Sequence, residues 1–308
     1  MENSTTPRPD GGPFRGIHPM LYAFFDRSGA LDRSALERQV ETCVANGAHG
    51  IAALGLATEV GKLSAAERRD GVRWTVEAVR GRLPLAATVG SGPVADQIAF
   101  GQFARDAGAD WLILQPPLER GRPESELLAH LDAVMAALAG HPVGLQNAPE
   151  YMGVGLSPAG IVELAERHPH FVVLKGEGPV VHIRAAIEQT GARLAVFNGR
   201  NGLELPDNFR AGCAGMIPCL DTVDRQVGVC DAMQAGRHEE AERIYRDALP
   251  AIAFAMQSLD TLTCYGKRLA ALRMGMGEAI HDRAPALQPT AFGVECVRRY
   301  AAALGPLA

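Results

Sequence analysis

The sequence reads as an α/β chain: a (β/α)8 TIM barrel followed by a C-terminal three-helix extension. Three observations predict this. Eight short apolar runs alternate with eight longer amphipathic stretches over residues 17–235. Hairpin signals between them are few, which is the pattern of parallel strands joined by crossover helices. The number eight points to a closed barrel. The runner-up, an open doubly wound sheet, usually carries GxGxxG after its first strand. The nearest segment here runs Gly90, Ser91, Gly92, Pro93, with proline where the helix should open, and no GxxxxGK[S/T] is present.

Each unit has its own signal. Strand 17–21 leads to a helix over 31–46 with Leu36, Val40 and Val44 four apart on one face. Strand 50–54 is followed by helix 64–80, opened by Ser64 and Glu67, a capping box that satisfies the free N–H groups of the first turn. Strands 85–89, 111–114, 143–146, 171–175, 194–197 and 215–218 then alternate with helices 94–107, 124–140, 157–168, 180–190, 203–211 and 223–235. Beyond residue 236 the strand signals stop, and 239–256, 266–277 and 290–304 read as helices. The expected organisation is a disordered polar tail over 1–14, the barrel over 15–235 and the extension over 236–308.

Composition narrows the function classes. Lys+Arg number 30 against 35 Asp+Glu, a net charge of −5 spread along the chain, which leaves no basic footprint for nucleic acid. No apolar stretch reaches the 18 residues of a membrane span, and the polar N-terminus has no signal-peptide core. The six cysteines, at 43, 213, 219, 230, 264 and 296, show no CxxC or Cys/His zinc spacing. They fit free thiols in a reducing cytoplasm. Neither a metal site nor a cofactor is expected.

Only three basic residues are lysines: Lys62, Lys175 and Lys267. Arginine keeps its proton in proteins, whereas a desolvated lysine can present a neutral amine nucleophile. Lys175 ends the apolar run that begins at Phe171 and precedes Gly176, Glu177 and Gly178. Barrel enzymes carry their catalytic groups at such strand ends, and burial there lowers a lysine pKa toward that of a Schiff-base nucleophile. The plainer reading is a strand-end lysine paired with Glu177. Glu177, Asn198, Arg200, Asn201 and Asp221 are the other polar groups at predicted strand ends. Arg200 is a candidate anchor for an anionic substrate tail, with a salt bridge to Glu204 as the equal alternative. His18 reads as a packed histidine.

In the order and spacing of its motifs the chain resembles the dihydrodipicolinate synthase / N-acetylneuraminate lyase family of class I aldolases. The resemblance runs from about Gly16 onward. It is carried by Asp26, Gly29 and Asp32 after the first strand; by Gly55, Thr58, Glu59, Leu63, Ser64, Glu67 and Arg68 after the second; and by Gly108 to Asp110. Further on it is carried by Asn147, Pro149, Gly153, Leu156 and Ser157, by the Lys175 segment, and by Gly212 with the run from Gly215 to Pro218. The resemblance implies a tetrameric or dimeric barrel whose strand-six lysine, here Lys175, forms a Schiff base with a 2-oxo acid.

Departures from the family pattern fall in the site. Where the family has Gly-Thr/Ser-Thr-Gly-Glu, whose hydroxyls and N–H groups hold the 2-oxo acid carboxylate, this chain has Gly55, Leu56, Ala57, Thr58 and Glu59. Ala57 and Thr58 are retained as substrate-binding candidates through their backbone. Where the family has the proton-shuttling tyrosine of Tyr-Asn-x-Pro, this chain has Gln146 before Asn147 and Pro149. An amide binds but does not act as a general acid near neutral pH. Tyr151 stands where dihydrodipicolinate synthases carry a carboxylate-binding arginine, and Gln115, Pro116, Pro117 replace their Pro-Tyr-Tyr.

The functional expectation is therefore a Schiff-base-forming lyase acting on a 2-oxo acid or related carbonyl through Lys175, and not a dihydrodipicolinate synthase. Tyr22 or Tyr151 is expected to supply the missing hydroxyl, ahead of Glu177. Gln146, Asn147, Asn198 and Arg200 are expected to bind substrate. The alternatives are a hydratase or dehydratase using the same lysine, and a non-catalytic small-molecule-binding member of the family.

Overall fold

Eight parallel strands form one sheet in the order β1-β8-β7-β6-β5-β4-β3-β2. In this computed structural model residues 14–119, 121–277 and 280–308 are described, without the side chains of Glu150, Tyr151 and Ala192. The strands are β1 (Gly16–Ile17), β2 (Ile51–Ala53), β3 (Leu85–Val89), β4 (Trp111–Leu114), β5 (Val143–Asn147), β6 (Phe171–Gly176), β7 (Ala195–Asn198) and β8 (Gly215–Met216). The ring closes at Met20, which bridges Ala52 on one side and Cys219 on the other. Its N–H reaches the Pro218 carbonyl at 2.6 Å, and the Leu21 N–H reaches the Ala52 carbonyl at 2.9 Å. The first strand is thus shorter as a ladder than the apolar run 17–21, because its later residues bridge neighbours singly.

The crossover helices follow the sequence periodicity closely. Asp32 caps Arg33–Ala45 by accepting from the Ala35 N–H at 3.0 Å. Ser64 and Glu67 form the expected reciprocal cap of Ala65–Val79. Some crossover helices fall short of the expected spans: 124–140 ends at Ala137, and the 203–211 pattern yields Leu205–Arg210, where Glu204 with φ 58° breaks the helical run. Phe14, counted with the tail, instead stacks edge-on against Trp111 at 5.8 Å. Residues 1–13 lie outside the described residues.

Below the mouth the barrel is filled rather than open. The rings of His18, Trp111 and Phe197 meet at centroid distances of 5.3–6.2 Å. His18 is fully buried, and that burial lowers its pKa to about 4, so the imidazole is neutral. These rings form an apolar floor under the C-terminal ends of the strands.

The extension consists of His238–Ala255, a helical stretch ending in Lys267–Arg273, and Ala291–Leu304. The middle stretch starts earlier than the expected residue 266, with a π-turn over Leu262–Gly266. Gly266 lies inside the helix because the chain passes Tyr22 there: a Cβ at this position would sit 2.6 Å from the Tyr22 hydroxyl. Buried ion pairs tie this stretch to the barrel. Lys267 Nζ lies 2.6 Å from Glu59 Oε1 and 3.0 Å from Asp282 Oδ1. Arg273 pairs with Asp224 at 2.8 Å and donates to the Asp221 carbonyl at 2.8 Å. No helix among the described residues is long and apolar enough to cross a membrane.

Removing a buried charge strands its partners in low dielectric. Lys267→Met should therefore lower unfolding free energy by about 3 kcal/mol, read as a lower urea midpoint at unchanged slope. A midpoint within error of the parent would show that Glu59 and Asp282 are satisfied without Lys267.

Candidate active site

The site is set by strand register. Gln146 on β5 is the Cα partner of Lys175 on β6, and Lys175 is the partner of Phe197 on β7. Partners in parallel strands share a face. Leu174 and Val196, one residue earlier on each strand, line an outer cavity with Ile161 and Ile183 of the helical layer. Gln146, Lys175 and Phe197 therefore face inward, which puts the lysine on the same face as Phe197 of the aromatic floor. Its side chain is only 5% exposed.

Lys175 Nζ donates to Glu177 Oε1. The same oxygen accepts from Gln146 Nε2 at 2.8 Å. Gln146 Oε1 in turn accepts from Gln115 Nε2 at 2.9 Å, and Gln115 Oε1 accepts from the Ser91 N–H at 3.3 Å. Gly199 leaves room for the carboxylate, since a Cβ there would meet the Glu177 Cγ at 2.7 Å. Amine, carboxylate and amide thus converge from β5 and the end of β6 on one point of the mouth. The pairing of Lys175 with Glu177, the plainer reading of the sequence, and a chemical role are not exclusive: a carboxylate bonded to the ammonium can also receive its proton.

A second buried cluster borders the first. The Tyr22 hydroxyl donates to Asp221 Oδ1 at 3.0 Å, and Asn201 Nδ2 donates to Asp221 Oδ2 at 3.2 Å. Cys219 lies between the clusters, bonded to Tyr22 and within the fields of Lys175 and Glu177. Burial raises the Tyr22 hydroxyl and the Cys219 thiol well above their usual ranges, so both are neutral. The same cause raises Asp221 to about 6.

The remaining expected residues are placed as follows. The Thr58 hydroxyl donates to the Leu21 carbonyl at 2.6 Å. With Leu56 and Ala57, it leaves the turn Leu56–Thr58 only backbone groups to offer at the end of β2. Asn147 holds the following loop through both backbone groups of Leu156, at 2.8 and 3.1 Å. Asn198 donates to the Gly178 carbonyl and to Asn208, at 3.0 and 2.8 Å. Arg200 pairs with Glu204 at 2.8 Å. Tyr151 lies on the single turn Pro149–Met152, and its side chain is outside the described residues. Lys62 pairs with Glu59 and Lys267 with Glu59 and Asp282, so of the three lysines only Lys175 stands in the mouth.

Two features escaped sequence reasoning. Gln115 directly follows β4 and Gln146 is the last residue but one of β5, but only the fold brings their amides together. His49, Cys230 and Asp231 also converge, far apart in sequence. There His49 Nδ1 accepts the Ile17 N–H at 3.2 Å and Nε2 meets Asp231 at 3.2 Å, so both imidazole nitrogens serve the fold.

A model of the dihydrodipicolinate synthetase family matches residues 13–290. The 4-hydroxy-tetrahydrodipicolinate synthase of Methanoculleus marisnigri is 31% identical over 243 residues, 77% of this chain and 82% of that protein. Its counterpart from Methanopyrus kandleri is 28% identical over 244 residues, 78% and 81% of the two chains. The sialic acid aldolase of Ruminococcus gnavus shares the fold, with a TM-score of 0.86 at 21% identity, covering 95% of this chain and 97% of that one.

Asp221 supplies a pH test of the second cluster. Its pKa of about 6 exceeds the ordinary 3.8, so between those values the folded chain holds a proton that the unfolded chain has released. Stability contributed by this group therefore falls as pH rises through that window, and the cost is complete above about pH 6. Relative to Asp221→Asn, the parent should lose about 2 kcal/mol of unfolding free energy between pH 4 and pH 7. Parallel pH curves for the two proteins would show an ordinary Asp221.

Proposed function

This chain belongs to the dihydrodipicolinate synthetase family, and from that premise we propose a Schiff-base lyase that acts on a 2-oxo acid or related carbonyl through Lys175 and is not a dihydrodipicolinate synthase. Family members are class I aldolase-type lyases, and the chain is one of them by that membership. The observation that carries the finer reading is the buried Lys175–Glu177 pair at the end of β6, bound to Gln146.

The pair supplies the proton transfers that imine chemistry needs. Transfer of a proton from Lys175 Nζ to Glu177 yields a neutral amine and a neutral acid. The amine adds to the substrate carbonyl carbon while the acid protonates the carbonyl oxygen. One of the nitrogen's two protons then passes to the Glu177 carboxylate, which delivers it to the carbinolamine hydroxyl; the hydroxyl leaves as water, and the iminium nitrogen keeps the other proton. In the iminium the nitrogen draws the electrons of a broken C–C bond. Glu177, again a carboxylate, removes the aldol hydroxyl proton that starts the cleavage. We assign this shuttle to Glu177 rather than to Tyr22, because the Tyr22 hydroxyl already donates to Asp221. A hydratase or dehydratase would use the same pair, taking a carbon-bound proton and expelling hydroxide as water.

The substrate differs from that of a dihydrodipicolinate synthase for reasons of charge and donors. A carboxylate at the β2 turn meets backbone N–H groups without side-chain hydroxyls. Tyr151 offers no bidentate cation to a second carboxylate. A homotetramer or dimer in the cytoplasm completes the proposal, following the family.

Two outcomes test it. Lys175→Arg should fold normally by circular dichroism yet form no borohydride-reducible adduct with any 2-oxo acid. Glu177→Gln should slow turnover by about 10²–10⁴-fold, and Tyr22→Phe by less than about tenfold; the reverse ranking would return the shuttle to the tyrosine. Separately, aspartate semialdehyde with pyruvate should give negligible cyclised product. Turnover on the order of 10 per second, ordinary for enzymes, would identify a dihydrodipicolinate synthase after all.

A further inference from the structure

We infer that Gln115, a residue out of reach of the reacting atoms, is a positioning residue of this site: through the Gln146 amide it dictates which atom faces Glu177. The inference rests on the reading of Glu177 as the proton shuttle.

The argument begins at a group that cannot change roles. The Ser91 backbone N–H is a donor only, and it points at the Gln115 side chain at 3.3 Å. It therefore holds the oxygen of the Gln115 amide toward itself and turns the NH₂ toward β5. That NH₂ meets Gln146 at 2.9 Å and demands an oxygen there. The Gln146 NH₂ is left facing Glu177, where it donates at 2.8 Å. One obligatory backbone donor thus sets the orientation of two amides in series. Gln97 ties together the two backbone segments that this amide spans: its Nε2 donates to the main-chain carbonyl of Gln115 at 2.8 Å and to that of Gly90, the neighbour of Ser91, at 2.9 Å. Gln97 is itself held by His130 Nε2, 2.7 Å from its Oε1. Gln97, Gln115 and Gln146 are buried, so no water competes for these bonds.

The consequence is chemical. The Gln146 N–H held on Glu177 is matched by a carboxylate oxygen, and a carboxylate is the form that receives the lysine proton. The other groups around Glu177 are Lys175 Nζ, the neutral Cys219 thiol from the segment after β8, and His182, which lines the outer cavity beside it. None of them is reoriented by Gln115.

Replacing Gln115 by glutamate keeps the shape and inverts the pattern. An ionised carboxylate is acceptor only, so it would accept from both Ser91 and Gln146. The Gln146 oxygen would then face Glu177, which would hold its proton to higher pH. The readout is the infrared band of the protonated carboxyl that Glu177→Gln removes, followed against pH. It needs no substrate, so it stands whether or not Lys175 forms an adduct with a 2-oxo acid. In Gln115→Glu the midpoint should rise by about one pH unit or more. Gln115→Met, which only unlocks the amide, should fall between the parent and Gln115→Glu. It serves as the test if the charged variant fails to fold. The same Gln115→Glu change in a Gln146→Met background should move the midpoint by less than half as much, because the carrier of the orientation is gone. An equal shift in both backgrounds would mean that charge alone acts on Glu177. No shift in a folded Gln115→Glu or Gln115→Met protein would overturn the inference outright.

Discussion

The hydrogen-bonded ion pair between Lys175 and Glu177 is the constraint on which the mouth of this barrel depends. A lone ammonium over an apolar floor would be driven to lose its proton or to escape. A carboxylate two residues along the same chain makes the pair neutral as a unit and lets the side chain stay 5% exposed. The surrounding features follow from accommodating that carboxylate. Gln146 replaces a group that would have acted on substrate with one that holds Glu177, and Gly199 leaves the space it fills. Buried pairs seldom add stability over apolar residues of the same volume, so this one holds its place at some structural cost.

The three lysines differ in their partners. Lys267 lies in a closed network with Glu59, Asp282 and Phe25, and Lys62 shares Glu59. These cations join the second strand's loop to the extension. Lys175 differs in having one carboxylate partner and an amide beside it, at the end of a barrel strand. The three lysines thus divide into two that hold the extension and one that faces the mouth.

The barrel was legible because its cues are local. Strands 85–89 and 111–114 and helices 94–107 and 180–190 matched to the residue, since apolar runs and caps depend on neighbours in the chain. Elements set by distant contacts were less legible. The glycine at 266 reads as a helix start, yet it sits mid-helix because Tyr22, remote in sequence, needs the space. In the site, the place of Lys175 near the end of a barrel strand was legible from the apolar run before it. The commitments of Thr58 to Leu21, Asn198 to Asn208 and Tyr22 to Asp221 were not, because each joins elements whose proximity only the closed sheet creates. Gln115 carried no signal of its own: glutamine at a strand end is ordinary until a second glutamine stands opposite it.

Family membership and the altered motifs are reconciled if the lysine chemistry is kept while the groups that recognise the substrate and move its protons have changed. Sodium borohydride reduction in the presence of a panel of 2-oxo acids, followed by peptide mass spectrometry, tests this most directly. The account predicts that at least one acid leaves its reduced mass on the peptide containing Lys175 and on no other lysine. An unlabelled Lys175 peptide with every acid, or a label confined to Lys62 or Lys267, would contradict it.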